Sequence, residues 1–262
     1  MTNSIKEYGL IGYPLSHSFS PGYFRAKFER EGLPHCRYDA YPLPSLGLLP
    51  KLLDEHPALA GLNVTIPYKT SVMEYLHEVS AEAAEIGAVN VININNGRLV
   101  GHNSDAYGFE VSLRQLLPRP LPKGLKALVL GTGGAAKAVV FTLKKMGIGF
   151  QLVSRHFSPE TLDYESITAD VLQSHQLIVN TTPLGMMPDL NACPPIPYEH
   201  ATDRHYFYDL VYNPSKTRFL ELAEKAGSHI GNGLSMLHLQ AERAWAIWNG
   251  QVDEEPENHT NH

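Results

Sequence analysis

Four groups of residues have types and spacings suited to chemistry. The first is Lys69, in Asn63-Val64-Thr65-Ile66-Pro67-Tyr68-Lys69. Hydride transfer at an alcohol carbon needs a proton to enter or leave at its oxygen, and a positioned lysine beside a carboxylate can move it. Lys69 follows the end of a predicted strand, where ligands gather in open α/β sheets. Pro67 suits the first turn of a helix, and a lysine in such a turn is mismatched with the helix dipole. The second is Asp105, in Gly101-His102-Asn103-Ser104-Asp105-Ala106-Tyr107-Gly108, at a strand-to-helix junction. The third is His17-Ser18-Phe19-Ser20-Pro21, in which two hydroxyls just ahead of a helix can hold a carboxylate without formal positive charge. Each has a plain structural alternative: a surface lysine, an aspartate N-cap, a capping serine in a turn.

The fourth group is Leu128-Val129-Leu130-Gly131-Thr132-Gly133-Gly134-Ala135-Ala136, a strand, a glycine turn and the start of a helix. Gly131 permits the tight turn, Gly133 lets backbone approach a pyrophosphate, and Ala136 allows close helix–strand packing. The helix N-terminus stabilises the pyrophosphate charge. The strand before the turn, the helix after it and the next strand at the right distance give the triplet its meaning. No G-K-[ST] follows, which disfavours a P-loop. The next strand ends in Val153-Ser154-Arg155-His156, with no carboxylate to hold the ribose of NAD. An arginine there pairs with a 2′-phosphate, which favours NADP over NAD; its alternative is a solvated surface arginine.

These groups require alternating strands and helices to position them. Strands are predicted at Tyr8–Gly12, Cys36–Tyr41 and Gly61–Ile66, with helices over 21–31 and from Pro42–Pro44 to about Glu55. Asn95-Asn96-Gly97 marks a hairpin between 88–94 and 98–101. A helix from Asp105 to Leu116 leads into the proline-rich run Leu117–Gly124. Beyond it, strand Lys126–Leu130, helix Ala135–Met146 and strand Phe150–Val153 form a βαβ unit. Strands near Leu177–Asn180 and Phe207–Leu210 and a helix Leu234–Trp248 follow. The expected fold is α/β in two domains with a boundary near the proline-rich run: an N-terminal domain with a mostly parallel sheet and a Rossmann-type dinucleotide-binding domain, with a disordered polar tail at 253–262.

Composition bounds the partners. Of 262 residues, 43% are hydrophobic and 18% charged, as in a packed globular protein. A net charge of −6 with no dense basic run argues against nucleic acid and anionic membranes. The two cysteines, Cys36 and Cys193, have no metal-like spacing, and the 13 histidines are scattered, so no metal is expected. No signal-like or membrane-spanning apolar run is present, so a cytoplasmic setting with reduced thiols is expected.

Taken together, the motifs resemble the shikimate dehydrogenases from about Tyr8 to Trp248. They include Gly12–Pro21, Asn63–Lys69, Gly87-Ala88-Val89-Asn90, Gly101–Asp105, the glycine turn, Asn180-Thr181-Thr182-Pro183-Leu184-Gly185-Met186, Tyr208–Pro214 and Gly233–Ala241. The resemblance implies that Lys69 and Asp105 are the catalytic pair and that Ser18 and Ser20 hold a substrate carboxylate, with Tyr212 near it. Thr65, Asn90, Asp105 and Gln240 would bond ring hydroxyls. The cofactor set would be Gly131, Gly133, Gly134, Ala135, Ser154, Arg155, Thr181 and Gly233. The implied reaction is reversible reduction of 3-dehydroshikimate to shikimate with NADPH, in aromatic amino-acid (chorismate) biosynthesis. The first domain would bind the substrate, and the final helix would pack back on it, giving 1–104 plus 234–252 for the substrate-binding domain and 105–233 for the dinucleotide-binding domain; the chain would be a monomer or homodimer. The chain departs from the family pattern at Gly22-Tyr23-Phe24-Arg25, Ser154-Arg155-His156, Ser104, Asn232 and Ser235. The alternatives are a quinate/shikimate-type dehydrogenase using NAD, a dehydrogenase of C1 carriers, and a non-catalytic metabolite sensor.

Overall fold

A computed structural model describes residues 5–16, 18–155 and 158–251, and the chain divides into two compact units. The predicted tail 253–262 and His17 and His156 lie outside the described residues.

The first unit comprises residues 1–84, 89–104 and 241–262. Its elements are β1 (Lys6–Gly12), α1 (Ser20–Arg30), β2 (Cys36–Pro42), α2 (Leu49–Glu55), β3 (Leu59–Val64), β4 (Glu78–Val79), α3 (Ala81–Ile86, running on into the second unit), β5 (Val91–Asn95) and β6 (Arg98–His102). The sheet runs β2-β1-β3-β5-β6-β4. β1 is parallel to β2 and β3, and β4 to β6, whereas β5 is antiparallel to both its neighbours. The reversal is made by the Asn-Gly turn, where Asn96 and Gly97 have φ of 49° and 75°, the left-handed pair that a two-residue hairpin requires. β1 lies between β2 and β3 and is buried on both faces. Tyr8 and Leu10 face Phe24, Phe28 and Tyr38, while Ile11 faces Leu49, Leu62 and Val64.

Two expected helix starts are corrected. The helix after Pro42–Pro44 begins only at a 3-10 turn, Leu46–Leu48, where Ser45 Oγ accepts from Gly47 N–H at 3.3 Å. No helix opens at Pro67: residues 66–70 form turns, followed by the 3-10 segment Ser71–Tyr75. A tertiary bond takes a backbone acceptor that a helix would need: Val89 N–H donates to the Lys69 carbonyl at 2.7 Å, while buried Tyr68 anchors the turn by donating its hydroxyl to the Leu43 carbonyl at 2.6 Å. The helix-dipole argument for Lys69 therefore does not apply.

The second unit, residues 85–88 and 105–240, contains α4 (Asp105–Leu116), β7 (Lys126–Leu130), α5 (Gly134–Lys145), β8 (Gly149–Val153), β9 (Thr161–Leu162), α6 (Ala169–Gln173), β10 (Leu177–Asn180), β11 (Tyr206–Asp209), α7 (Arg218–Lys225), β12 (His229–Asn232) and the start of α8 (Leu234–Trp248). Its sheet is parallel throughout, in the order β12-β11-β10-β7-β8-β9. Apolar side chains alternate between its faces. Val129 and Val179 pack with Phe109, Leu113 and Val139 on one side, and Leu128 and Ile178 with Leu172, Phe219 and Leu220 on the other. Helices thus cover both faces, and the strand order reverses between β7 and β10. Sequence reading missed α6, α7 and β12. Thr217, whose Oγ1 accepts from Leu220 N–H at 3.4 Å, and the spacing of Phe219, Leu220 and Ala223 are the signals that mark α7.

Within the first unit, the last two turns of α8 close the core. Ala241, Ala244, Ile247 and Trp248 pack with Tyr8, Phe24 and Phe28. Trp248 donates its indole N–H to the Ile92 carbonyl at 3.0 Å, and its ring occupies the space a side chain on Gly61 would need.

Candidate functional site

In the first unit, the candidate residues collect at one end of the sheet. β1 and β3 point their carboxyl ends there, and β5 starts there because it is antiparallel to β3, with Asn63 opposite Val91. Ser18 follows a turn in which its N–H donates to the Leu15 carbonyl at 3.2 Å. Ser20 is the first residue of α1, and the cap position belongs to Phe19, so neither serine is the N-cap. The Ser20 hydroxyl instead bonds the Tyr38 side chain, and Tyr38 donates to Asn63 Oδ1 at 2.7 Å. Burial pushes the Tyr38 phenol far above its usual value, the contact with Ser20 opposing it, so Tyr38 stays protonated and donates.

Thr65 donates its backbone N–H to the Ile11 carbonyl at 2.9 Å, and its methyl group fills the space a Cβ on Gly12 would claim. Lys69 is half-buried in the next turn. Asn90 is 3% exposed; its Nδ2 donates to Ser104 Oγ at 3.0 Å and its Oδ1 accepts from Ser104 N–H at 2.7 Å. A primary amide has two N–H donors and two acceptor lone pairs, so one of each remains beyond these bonds. Asp105, the residue after Ser104, is buried and is the first residue of α4, where a carboxylate suits the helix dipole.

In the second unit, the candidates lie on connections after the carboxyl ends of the strands. Gly131 has φ of 107°, and a Cβ on it would sit 2.7 Å from Thr181 Oγ1. Thr181 donates its N–H and its hydroxyl to the Leu130 carbonyl at 2.9 and 2.8 Å, placing it against the glycine turn at the point where the strand order reverses. Gly131 N–H donates to the Val153 carbonyl at 2.9 Å, which brings the end of β8 alongside. Ser154 is buried there and Arg155 is exposed. Gly133, at the N-cap of α5, and Gly134 are exposed, and a Cβ on either would meet no protein atom. Ala135, the second residue of α5, is half-buried. The fold itself does not demand glycine at 133 and 134, whereas a pyrophosphate lying on the helix N-terminus does. The residues present therefore fit a dinucleotide.

Gly233 precedes α8, and a Cβ on it would collide with the Leu210 carbonyl, so its role is at least the close approach of two backbones. Tyr212 is half-buried in the connection after β11, and burial raises its phenol. Gln240 is buried on α8 and donates to the Leu237 carbonyl at 3.0 Å.

One network escaped sequence reasoning. Asn180 and Asp209, each 0% exposed, end β10 and β11. Asp209 Oδ1 accepts from Asn180 Nδ2 and Val211 N–H, each at 3.0 Å, and its Oδ2 accepts from Thr217 Oγ1 at 2.5 Å. Asn180 Oδ1 accepts from Thr182 N–H and Oγ1 at 3.0 and 2.6 Å. Burial pushes the Asp209 carboxyl up to about 6, against the three bonds that lower it. The network shapes the connections that carry Thr181 and Tyr212. A buried aspartate ending a strand beside an asparagine ending its neighbour was its only sequence signal. Among the described residues, no group of three or more His, Cys, Asp or Glu could hold a metal, and no helix is long and apolar enough to cross a membrane.

An all-parallel, doubly wound sheet with a glycine turn and a helix N-terminus at its switch point defines a Rossmann-type dinucleotide-binding protein. Residues 10–92 match the family model described as the shikimate dehydrogenase substrate binding domain. The shikimate dehydrogenase (NADP(+)) of Caldanaerobacter subterraneus subsp. tengcongensis is 37% identical, over 95% of this chain and 93% of that protein. The Thermus thermophilus shikimate 5-dehydrogenase, solved in complex with NADP(H) and shikimate, is 34% identical, with a TM-score of 0.81 over 94% of each chain. A quinate dehydrogenase from Corynebacterium glutamicum, solved with NAD, is 29% identical, with a TM-score of 0.83 over 94% of each chain. The chain belongs to the shikimate dehydrogenase family.

Proposed function

We propose that this chain catalyses the reversible, NADP-dependent reduction of 3-dehydroshikimate to shikimate, with the first unit binding substrate and the second binding the dinucleotide. The observation that carries the reading is the gathering of Ser18, Ser20, Thr65, Lys69 and Asn90 on connections at one end of the first sheet, in a chain of this family.

NADPH supplies the hydride when bound. Lys69, as an ammonium, donates a proton to the oxygen that gains charge as the carbonyl is reduced, and takes it back in the reverse direction. Asp105 orients Lys69 and a substrate hydroxyl. Ser18 donates its hydroxyl hydrogen to the substrate carboxylate, Ser20 does the same once its hydroxyl turns away from Tyr38, and Tyr212 lies near that group. Thr65, Asn90 and Gln240 bond ring hydroxyls, Asn90 using the donor and acceptor that Ser104 leaves over. Gly131, Gly133, Gly134 and Ala135 hold the pyrophosphate, Thr181 and Gly233 shape the connections beside it, and Ser154 and Arg155 receive the 2′-phosphate.

The test is the absorbance of reduced nicotinamide with shikimate and either NADP or NAD. Turnover with NADP and Lys69→Ala slower by about 10²–10⁴-fold, with unchanged circular dichroism, is the expected result. Near-native turnover of that variant refutes the role of Lys69. The likeness to a quinate dehydrogenase solved with NAD gives a second reading, quinate with NAD. It predicts faster turnover on that pair than on shikimate with NADP.

A further inference from the structure

We propose that Tyr23 is a positioning residue for the substrate carboxylate: clamped by Glu242, it fixes the turn from which Ser18 and Ser20 present their hydroxyls. The role rests on the reading in which those two serines bind the carboxylate.

The clamp is built around a buried charge. Lys27, on α1, is 3% exposed, and an ammonium so placed must be paired. Its Nζ lies 2.6 Å from Glu242 Oε2 and 2.8 Å from Glu31 Oε1, and 5.8 Å from the centre of the Trp245 ring. Tyr23, one turn before Lys27, donates its hydroxyl to the other oxygen, Glu242 Oε1. Burial by itself raises the Glu242 carboxyl, but the bonds from Lys27 and Tyr23 outweigh it and hold the group below its usual value, so it stays ionised. Lys27 already ties α1 to α8 through this carboxylate. What the Tyr23 hydroxyl adds is a fixed direction for its own ring.

That ring points back to the serine turn. It stacks on Phe19 with centroids 5.2 Å apart and planes 28° apart, and Tyr23 N–H donates to the Phe19 carbonyl at 3.2 Å. Phe19 stands between Ser18 and Ser20. It occupies the cap position of α1 with φ of −68° and ψ of −42°, and its side chain makes no cap hydrogen bond. The turn thus lacks the lock that a capping hydroxyl gives, and Tyr23 holds it through backbone and ring together. A second path reaches Ser20. Tyr23 meets Phe24 edge-on at 5.4 Å, Phe24 stacks on Tyr38 at 4.6 Å, and Tyr38 bonds the Ser20 side chain.

The carboxylate is unchanged by hydride transfer at another carbon. Its contacts therefore act equally on substrate and transition state, and their loss is read in KM rather than kcat.

The experiment is steady-state kinetics of the full chain with shikimate and NADP, for Tyr23→Leu and Tyr23→Phe, each made in wild type and in the S18A/S20A background. Tyr23→Leu in wild type should raise KM for shikimate about tenfold, as for one lost charge-assisted hydrogen bond, with kcat within about twofold. KM for NADP should not move. Tyr23→Phe keeps both ring contacts and loses only the bond to Glu242, so its KM should fall between, and it carries the test if the leucine variant does not fold. In the S18A/S20A background neither substitution should lower kcat/KM further, because the groups being positioned are gone. A purely structural role adds its full effect in both backgrounds, and that result overturns the proposal. So does an unchanged KM in both single variants. A wild type that does not turn over shikimate overturns the carboxylate reading itself, and the role of Tyr23 falls with it.

Discussion

At the scale of single residues, two of the three glycines of the cofactor turn, Gly131 and Gly133, have separable duties. Gly131 combines a left-handed φ with a Cβ position 2.7 Å from Thr181 Oγ1. Gly131→Ala should destabilise the chain by about 1–3 kcal/mol, read in a denaturant melt. Gly133→Ala meets no protein atom. Its melt should stay within about 0.5 kcal/mol of wild type, while the affinity for NADPH, read by nucleotide fluorescence, falls. Equal melts for the two variants would contradict this division. Asp209 makes a pH prediction. Its folded value of about 6 lies above the ordinary 3.8, so the folded state binds the proton more tightly. The stability it contributes is full below about pH 4 and is lost as pH rises through 6. Asp209→Asn can keep all three bonds, with the amide donating to Thr217 and the carbonyl oxygen accepting from Asn180 and Val211. Relative to the variant, wild type should lose on the order of 1 kcal/mol per pH unit across that interval. Parallel stability curves would show that Asp209 does not titrate there.

At the scale of elements, α8 is decisive for the first unit. Trp248 touches three strands and a helix at once: its ring lies against Gly61 on β3, its N–H bonds Ile92 on β5, and it packs with Tyr8 on β1 and Phe24 on α1. Trp248→Ala should cost about 3–5 kcal/mol in a denaturant melt, and Trp248→Phe distinctly less. Tyr23 and Lys27 on α1 both bond Glu242 on α8, Lys27 at 2.6 Å, which fixes the register of the helix along α1. The hairpin, α4, β7 and β10 were legible in the sequence because their signals are local: a left-handed Asn-Gly pair and apolar periodicity between breakers. The turn at Lys69 was not, because the acceptor that a helix needed there was claimed by Val89, twenty residues away in sequence.

At the scale of the molecule, chain order and fold are out of step. The second unit is built almost wholly from one continuous stretch, 105–240, whereas the first needs residues 241–251 for its core. A fragment of residues 105–240 should therefore fold and bind NADPH, seen by circular dichroism and fluorescence. A fragment of residues 1–104 lacks Ala241, Ala244, Ile247 and Trp248 and should not fold, since their loss approaches the whole stability of a domain, about 5–15 kcal/mol. A folded 1–104 fragment would refute this account of the core.

Residue types and periods in the sequence alone determined the α/β class, the dinucleotide turn and the candidate residues Ser18, Ser20, Lys69, Asp105 and Arg155, because these depend on short-range geometry and on chemistry each side chain carries by itself; Thr65 and Asn90 entered only through the resemblance to a family. Only the tertiary structure decided that neither serine is a helix cap, that Lys69 sits in a turn, that Asn90 spends half its amide on Ser104, and that Asn180, Asp209 and Thr217 form one buried network. Each of these depends on which distant backbone group takes a given hydrogen bond, and that partnership exists only once strands far apart in sequence lie side by side.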